Sequence, residues 1–458
     1  MKKVSRLWLL LSLFVTCGSV LLTSCSKEDI PASVTPQPSG KTYATLREAL
    51  GELGIVDSIS PRHQPELDAD FREHYITFFT QPVDHQHPEG AKFRQKVVFN
   101  FRGFDRPTIM CTEGYYFDGM TADEGQPLGK ALQANVIYVE HRNFGESMTS
   151  TGEPDWRYES QEQEAADLHA VFTALKPLLK GKWMSHGVSK NGETSISYNN
   201  LYPNDMDLVS AFCSPLLTSL NDVRCGKYMQ EESGTAEERA TMRAGIRRYL
   251  ADGEQGLYRV FCDSLAQKGV KQPNYSLYVF NVFEVYFSAF SYFTGADRAR
   301  ALAYADEPVP VLFKKWEQLY QMNLDPQFRT YIIDGFKWQG FYMNDFVPYY
   351  DLLEGTSFTT DVAVQALTAS DASIVAQYDG SYHRYLLDEY LPTTTKPMLL
   401  VYSKDDPWTG ARPERTNPLN TKLIINPNGR HSDELDSQNY YTPELRQEIV
   451  DFVKQYVY

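Results

Sequence analysis

Trp183-Met184-Ser185-His186-Gly187-Val188-Ser189-Lys190-Asn191-Gly192 is a short apolar run feeding a glycine-flanked serine, and a helix-compatible stretch follows from Glu193 to Asn200. Strand, sharp turn and helix in that order lift a serine Oγ out of a sheet. The backbone N–H of the next residue, here Lys190, then points at an oxyanion developing on a bound carbonyl. The strict pattern is Gly-x-Ser-x-Gly. Here Asn191 occupies the second glycine's place and Gly192 comes one position later. Asparagine tolerates left-handed backbone better than most non-glycine residues, which keeps the turn feasible.

Outward from this segment, strand-like runs cover Lys96 to Phe101, Pro107 to Cys111, Asn135 to Glu140, Lys182 to His186, Leu208 to Cys213, Pro397 to Tyr402 and Lys422 to Ile425. They are Val/Ile/Leu-rich rather than alternating, the pattern of strands buried in a largely parallel sheet. Between them, Ala165, Leu168, Phe172 and Leu175 recur at helical spacing, as do Leu445, Ile449, Val453 and Val457 near the end. Strands alternating with amphipathic helices make an α/β fold, whose sites lie beyond the carboxyl ends of the strands. From about Met229 to Gln377 the rhythm breaks into a helical, aromatic-dense region that includes Tyr275, Tyr278, Phe280, Phe283, Tyr286, Phe287, Phe290, Tyr292 and Phe293. This reads as a helical cap inserted between two halves of the sheet, with most of its aromatics in the cap core.

A serine hydroxyl is a weak nucleophile and needs a base, and in this fold acid and histidine follow the serine in the chain. Of nine histidines only His383 and His431 do so, and only His431 lies beyond a strand that ends in a carboxylate. That strand, Met398 to Tyr402, runs into Asp405-Asp406-Pro407-Trp408, so either aspartate can be the acid. Ser189, Asp405 or Asp406, and His431 form the expected triad of an α/β-hydrolase fold with an inserted cap. The strand Thr108 to Cys111 enters Thr112-Glu113-Gly114-Tyr115, where such folds supply a second oxyanion N–H, so Gly114 or Tyr115 is the candidate beside Lys190. Asp84-His85-Gln86-His87 has a metal-like look but no third and fourth ligand follow, and no metal or other cofactor is expected.

Composition narrows the remaining classes. A formal charge of −15 without a basic cluster argues against nucleic acid, whose phosphates need a positive surface. With 42% hydrophobic residues the chain has ample surface to bury. Beyond Cys17 and Cys25 the cysteines are Cys111, Cys213, Cys225 and Cys262, without Cys-x-x-Cys spacing; a single disulfide is compatible with this set, a zinc site is not.

Lys2, Lys3 and Arg6 precede an apolar block from Leu7 to Leu22, the pattern of an export signal. Leu22-Thr23-Ser24-Cys25 resembles the lipobox of bacterial lipoproteins, which makes Cys25 the lipidation site and the anchor to a membrane. Lys27-Glu28-Asp29 resembles the signal that carries some lipoproteins to the outer face of the outer membrane. The expected organisation is a signal at 1–25, a flexible tether at 26–45, the first part of the hydrolase core at 46–228, the cap at 229–385 and the second part of the core at 386–458.

Gln81-Pro82-Val83-Asp84-His85, Phe104-Asp105-Arg106-Pro107-Thr108, Glu140-His141-Arg142, Asp155-Trp156, Gly187 to Gly192, Asp406-Pro407-Trp408 and Gly429-Arg430-His431 together follow the order found in serine peptidase family thirty-seven. This family includes secreted prolyl tri/tetrapeptidyl aminopeptidases, and is more distantly similar to prolylcarboxypeptidase and dipeptidyl peptidase II. The resemblance covers about residues 70 to 225 and 390 to 458 well and the cap faintly. It implies a peptidase that removes short N-terminal peptides, often with proline before the cut, and it maps the acid to Asp406 rather than Asp405. Relatives generally carry glycine where Val188 and Asn191 stand here. An aminopeptidase also needs an anion to pair with the substrate's α-ammonium. Asp345, in Tyr342-Met343-Asn344-Asp345-Phe346, lies where relatives have an acidic residue, and Glu140 is a second substrate-side candidate because it follows a strand into the cleft.

The partners expected are peptide substrates and, through Cys25 alone, a membrane. The rival readings are an esterase or lipase on the same fold, and a catalytically silent surface lipoprotein that binds peptides or glycans through its aromatic cap. Oligomeric state is not encoded in any pattern of the chain.

Overall fold

Val56–Pro61 (β1), Glu73–Pro82 (β2), Lys92–Phe101 (β3), Thr108–Thr112 (β4), Asn135–Val139 (β5), Trp183–Val188 (β6), Leu208–Phe212 (β7), Met398–Ser403 (β8) and Thr421–Asn426 (β9) form one sheet. Their order is β1-β2-β3-β5-β4-β6-β7-β8-β9. The computed structural model describes residues 41–67, 69–115, 117, 125–324, 326–360, 377–431, 433, 435 and 440–458. The signal at 1–25 with its Cys25, and the tether as far as residue 40, lie outside the described residues.

β4 to β8 are buried along their whole length and pair in parallel, which is why they read as continuous apolar runs. β1 and β2 were not expected. They pair antiparallel at one edge, and β2 alternates buried and half-buried positions along Glu-His-Tyr-Ile-Thr-Phe-Phe-Thr-Gln-Pro. A search for Val/Ile/Leu runs passes over that pattern. The opposite edge, β9, is likewise only partly covered.

One sheet face packs Met184, Val188, Leu208, Phe212, Leu399 and Val401 against Ile449, Val453 and Val457 of the last helix, Pro443–Val457. The other packs Val97, Phe99, Met110 and Ile137 against Ala165, Leu168, Val171 and Leu175 of the helix Gln161–Leu175. Each such fully buried Val, Leu or Ile stabilises the fold by about 1.5–3 kcal/mol before entropy is counted. The architecture is that of an α/β hydrolase.

Between β7 and β8 the elements among the described residues are helices, from Arg224–Glu231 to Leu391–Thr393, on either side of the expected 229–385. Its centre is the helix Tyr275–Tyr292, started by the Asn274 side chain, which accepts from Leu277 N–H at 2.9 Å. Tyr275, Tyr278, Phe283, Tyr286, Phe287 and Phe290 are buried, so this helix is apolar nearly all round because other cap helices surround it. Tyr292 and Phe293 are exposed instead, at 48% and 43%. Cys111, Cys213, Cys225 and Cys262 are separate buried thiols, so the disulfide compatible with the sequence does not form among them. Among the described residues, no helix is long and apolar enough to cross a membrane.

Candidate active site

β6 ends at Val188 and the helix Lys190–Leu201 starts at once, leaving Ser189 alone in the turn at φ 59°, ψ −127°. A non-glycine residue in that region costs about 1–3 kcal/mol and persists only where its surroundings hold it. Here the Ser189 N–H donates to Phe212 O at 2.8 Å. A Cβ on Gly187 would come within 2.3 Å of the Asn191 backbone, and one on Gly192 within 1.9 Å of Ser214 Oγ. Both glycines are therefore required by close approach, while the strained backbone belongs to the serine. Asn191 is helical and meets no such demand.

Asn191 has a different task. Its Oδ1 accepts from Gly114 N–H at 2.6 Å and its Nδ2 donates to Glu113 at 3.1 Å, tying the loop after β4 to the elbow. This corrects the expectation for Gly114, because its N–H is spent on the Asn191 side chain. Lys190 N–H, in the first helical turn where amides have no intrahelical acceptor, and Tyr115 in the same loop remain as oxyanion candidates. Tyr115 packs edge-on to Phe144 and against Tyr331 of the cap.

His431 Nε2 lies 2.9 Å from Ser189 Oγ, and its Nδ1 lies 2.7 Å from Asp406 Oδ2. Asp406 is fully buried and also accepts from Trp408 N–H at 3.2 Å and Ser291 Oγ at 3.4 Å. Asp405 points elsewhere, to the Arg298 guanidinium at 2.5 Å and Gly234 N–H, which resolves the choice between the two acids. Burial pushes the His431 imidazolium down, but the Asp406 carboxylate overrides it, so His431 titrates well above its ordinary value. The other downstream histidine, His383, is a buried strut: Nδ1 donates to Leu217 O at 2.7 Å and Nε2 sits 2.9 Å from Glu193.

Of the two acids expected on the substrate side, Glu140 is occupied by the protein. Glu140 accepts from Phe117 N–H (2.9 Å), Glu146 N–H (3.0 Å) and Ser147 Oγ (2.7 Å), so both its oxygens hold loops together. Asp345 Oδ1 accepts from Val347 N–H at 3.2 Å, closing its own turn, and Gly226 packs against its backbone. Among the described residues, no hydrogen bond joins either of them to a member of the triad. His141 and Arg142 belong to the same buried frame, with His141 Nε2 2.7 Å from Glu164 and Arg142 forked onto Asp167 at 2.7 and 2.9 Å.

Among the described residues, two groups of side chains have ligand atoms close enough to hold a metal ion: Cys213, Asp406 and His431, and His141, Glu159 and Asp334. In the first, both nitrogens of His431 are already engaged by Asp406 and Ser189. In the second, Lys190 Nζ stands 3.4 Å from Asp334 and opposes a cation. His85, from the Asp-His-Gln-His run, is bonded to Asp167 at 2.6 Å.

Sequence reasoning missed the cap's contacts with the triad and with Lys190. The end of the helix Tyr275–Tyr292 reaches the triad through Ser291, while the rings of Tyr292 and Trp408 each lie 5.9 Å from that of His431. Lys190 carries its side chain, 3% exposed, across to Asp334 at the end of the cap helix Pro326–Asp334. Nothing local to either segment announces the contacts that the cap residues Ser291, Tyr292 and Asp334 make, since each joins positions more than a hundred residues apart.

Residues 66–270 match the family model described as PS-10 peptidase S37, a span that contains the Ser189 elbow but not Asp406 or His431. A prolyl tri/tetrapeptidyl aminopeptidase of Streptomyces mobaraensis is 25% identical over 365 residues, covering 73% of this chain and 70% of that one. A probable serine protease of Arabidopsis thaliana, EDA2, is 30% identical over 145 residues, 28% of this chain and 29% of its own. Among solved structures, a proline iminopeptidase of Mycobacterium smegmatis is 15% identical, with a TM-score of 0.39 over 83% of this chain and 98% of that one.

Proposed function

We propose that this chain, a serine hydrolase of the peptidase S37 family by its residues 66–270, is an aminopeptidase that releases tri- or tetrapeptides from free N-termini, with proline preferred before the cut. The observation that carries the reading is the relay from Asp406 through His431 to Ser189, at 2.7 and 2.9 Å. His431 takes the Ser189 proton as Oγ attacks the scissile carbonyl, and Asp406 orients the imidazole and stabilises its charged form. Lys190 N–H stabilises the oxyanion. The imidazolium then protonates the leaving amine, and water attacks the acyl-enzyme in the reverse sense. Each member of the relay is placed by a strand end: Ser189 by β6, Asp406 by β8 and His431 by the loop after β9.

The test is fluorophosphonate labelling of a soluble form that starts after Cys25, followed by anilides of Pro-ending tri- and tetrapeptides and simple acyl esters. Labelling abolished by Ser189→Ala and His431→Ala, with the peptides preferred, is the expected result. Esters cleaved and peptides left intact would make the chain an esterase, and a folded wild type that takes no label would leave only a binding role.

The reading extends to location. Lys2, Lys3, the apolar block to Leu22 and Cys25 support export and lipid anchoring in the cell envelope, at the outer membrane and facing outward. Cys25→Ala is expected to abolish incorporation of labelled fatty acid and to release the protein from the membrane fraction. Unchanged incorporation in the variant would refute the anchor.

A further inference from the structure

Glu284 lies on the central cap helix, Tyr275–Tyr292, at 5% exposure. Its carboxylate accepts from the Tyr342 hydroxyl and from Asn344 Nδ2 at 3.4 Å. Neither donor is a cation. The basic group nearest in effect, Lys315, spends its Nζ on Ser288 Oγ at 2.6 Å, one helical turn away. Asn344 is fully buried, and its Oδ1 has no hydrogen-bond partner among the described residues. A desolvated carboxylate and an unused amide oxygen thus converge beside a tyrosine, and an ammonium brings three donors to such a set.

The position of this set is as informative as its chemistry. Ser291, which touches Asp406 and His431, is seven residues further along the same helix, hence on the same face and about 10.5 Å away along the axis. From the other side, the Tyr342 ring meets Trp408 at 4.5 Å, and Trp408 lies 5.9 Å from the His431 ring. An extended peptide covers about 3.3 Å per residue, so about three residues bridge the interval.

We propose that Glu284, with Asn344 Oδ1 and the Tyr342 oxygen, receives the α-ammonium of the peptide substrate, and that the Glu284–Ser291 offset along one helix sets the length of the released peptide at about three residues. The inference rests on the aminopeptidase reading and names the group that reading requires in place of Asp345. Burial raises the Glu284 carboxyl above its usual range, with Lys315 pulling only partly against it, so a bound ammonium would supply the missing counter-charge.

The experiment compares kcat/KM for a free tripeptide anilide and its N-acetylated form in wild type, Glu284→Gln, Tyr342→Phe and Asp345→Asn, alongside di- and tetrapeptide anilides. Wild type is expected to favour the free amine by about 100-fold, the scale of one buried charge pair. Glu284→Gln should collapse that ratio through a higher KM, Tyr342→Phe should reduce it partly, and Asp345→Asn should keep it. The ratio is internal to each preparation, so a partly folded variant still reports it. A Glu284→Gln enzyme that keeps the ratio overturns the assignment while leaving the aminopeptidase reading intact. A wild type indifferent to acetylation overturns both, and a dipeptide preferred to the tripeptide overturns the ruler.

Discussion

The Ser291 carbonyl accepts from the His431 N–H at 2.9 Å while the Ser291 hydroxyl donates to Asp406 at 3.4 Å, so one residue of the cap helix touches two members of the triad. The acid and the base come from loops after β8 and β9, and the cap helix end is what spans them. Deleting the hydroxyl leaves the backbone contact in place. Ser291→Ala is expected to lower kcat by about three- to tenfold, the worth of one modest hydrogen bond, with KM nearly unchanged. Steady-state kinetics on a peptide anilide check this; a change confined to KM would place Ser291 in substrate binding instead.

Ser189 holds a backbone conformation that glycine adopts without strain. Ser189→Gly and Ser189→Ala should both be inactive, since neither has a nucleophile. They should differ in stability, with Ser189→Gly the more stable by about 1 kcal/mol once the extra freedom of glycine in the unfolded chain is subtracted from the relieved strain. Urea unfolding of the two inactive variants is the comparison. Equal midpoints would mean that the elbow is not strained in solution.

The raised titration of His431 fixes the direction of the pH profile. Only the neutral imidazole can take the Ser189 proton, so kcat/KM should climb as pH rises and level off above the residue's folded value. Because Asp406 more than offsets burial, the inflection of the acid limb should lie above the ordinary histidine value of about 6.5. Replacing the acid by Asp406→Asn should move that inflection down as well as reduce the rate. An acid limb centred at or below the ordinary value in the wild type would contradict the electrostatics described here.

How much of this was legible in the chain depends on how local each signal is. Ser189, Asp406 and His431 could be read because each sits in a short segment whose own pattern places it: a strand into a glycine-tight turn, a strand into Asp-Asp-Pro-Trp, a strand into Gly-Arg-His. Gly114 and Glu140 were misassigned for a common physical reason. A backbone amide or carboxylate serves substrate only if the fold leaves it capacity to do so, and here that capacity is taken up outside the local motif: by Asn191 for Gly114, and by the loops at Phe117 and Ser147, on either side, for Glu140. Glu284 was invisible for the converse reason. In the sequence it is one acid among aromatics, and what distinguishes it is that its hydrogen-bond donors among the described residues, Tyr342 and Asn344, are neutral.

Glu159 supplies the last test, of stability rather than rate. Burial, and the Asp334 carboxylate beside it, push the Glu159 carboxyl up to about 8, with His141 and Arg142 pulling against the shift and Asn143 Nδ2 donating to it at 2.5 Å. An unfolded glutamate gives up its proton near about 4.3. Between those values the folded chain holds a proton that the unfolded chain has lost, so this group's contribution to stability declines as pH rises from about 4.5 to about 8. Glu159→Gln keeps an oxygen for Asn143 and removes the titration. Its urea midpoint should therefore fall less than the wild type's between pH values of about 5 and 8.5, and at the higher pH the variant should be the more stable. His431, which also titrates high, acts equally in both proteins and cancels in the difference. Wild type and variant running parallel across this range would show that Glu159 is ionised throughout, and that the buried frame behind the elbow accommodates its charge.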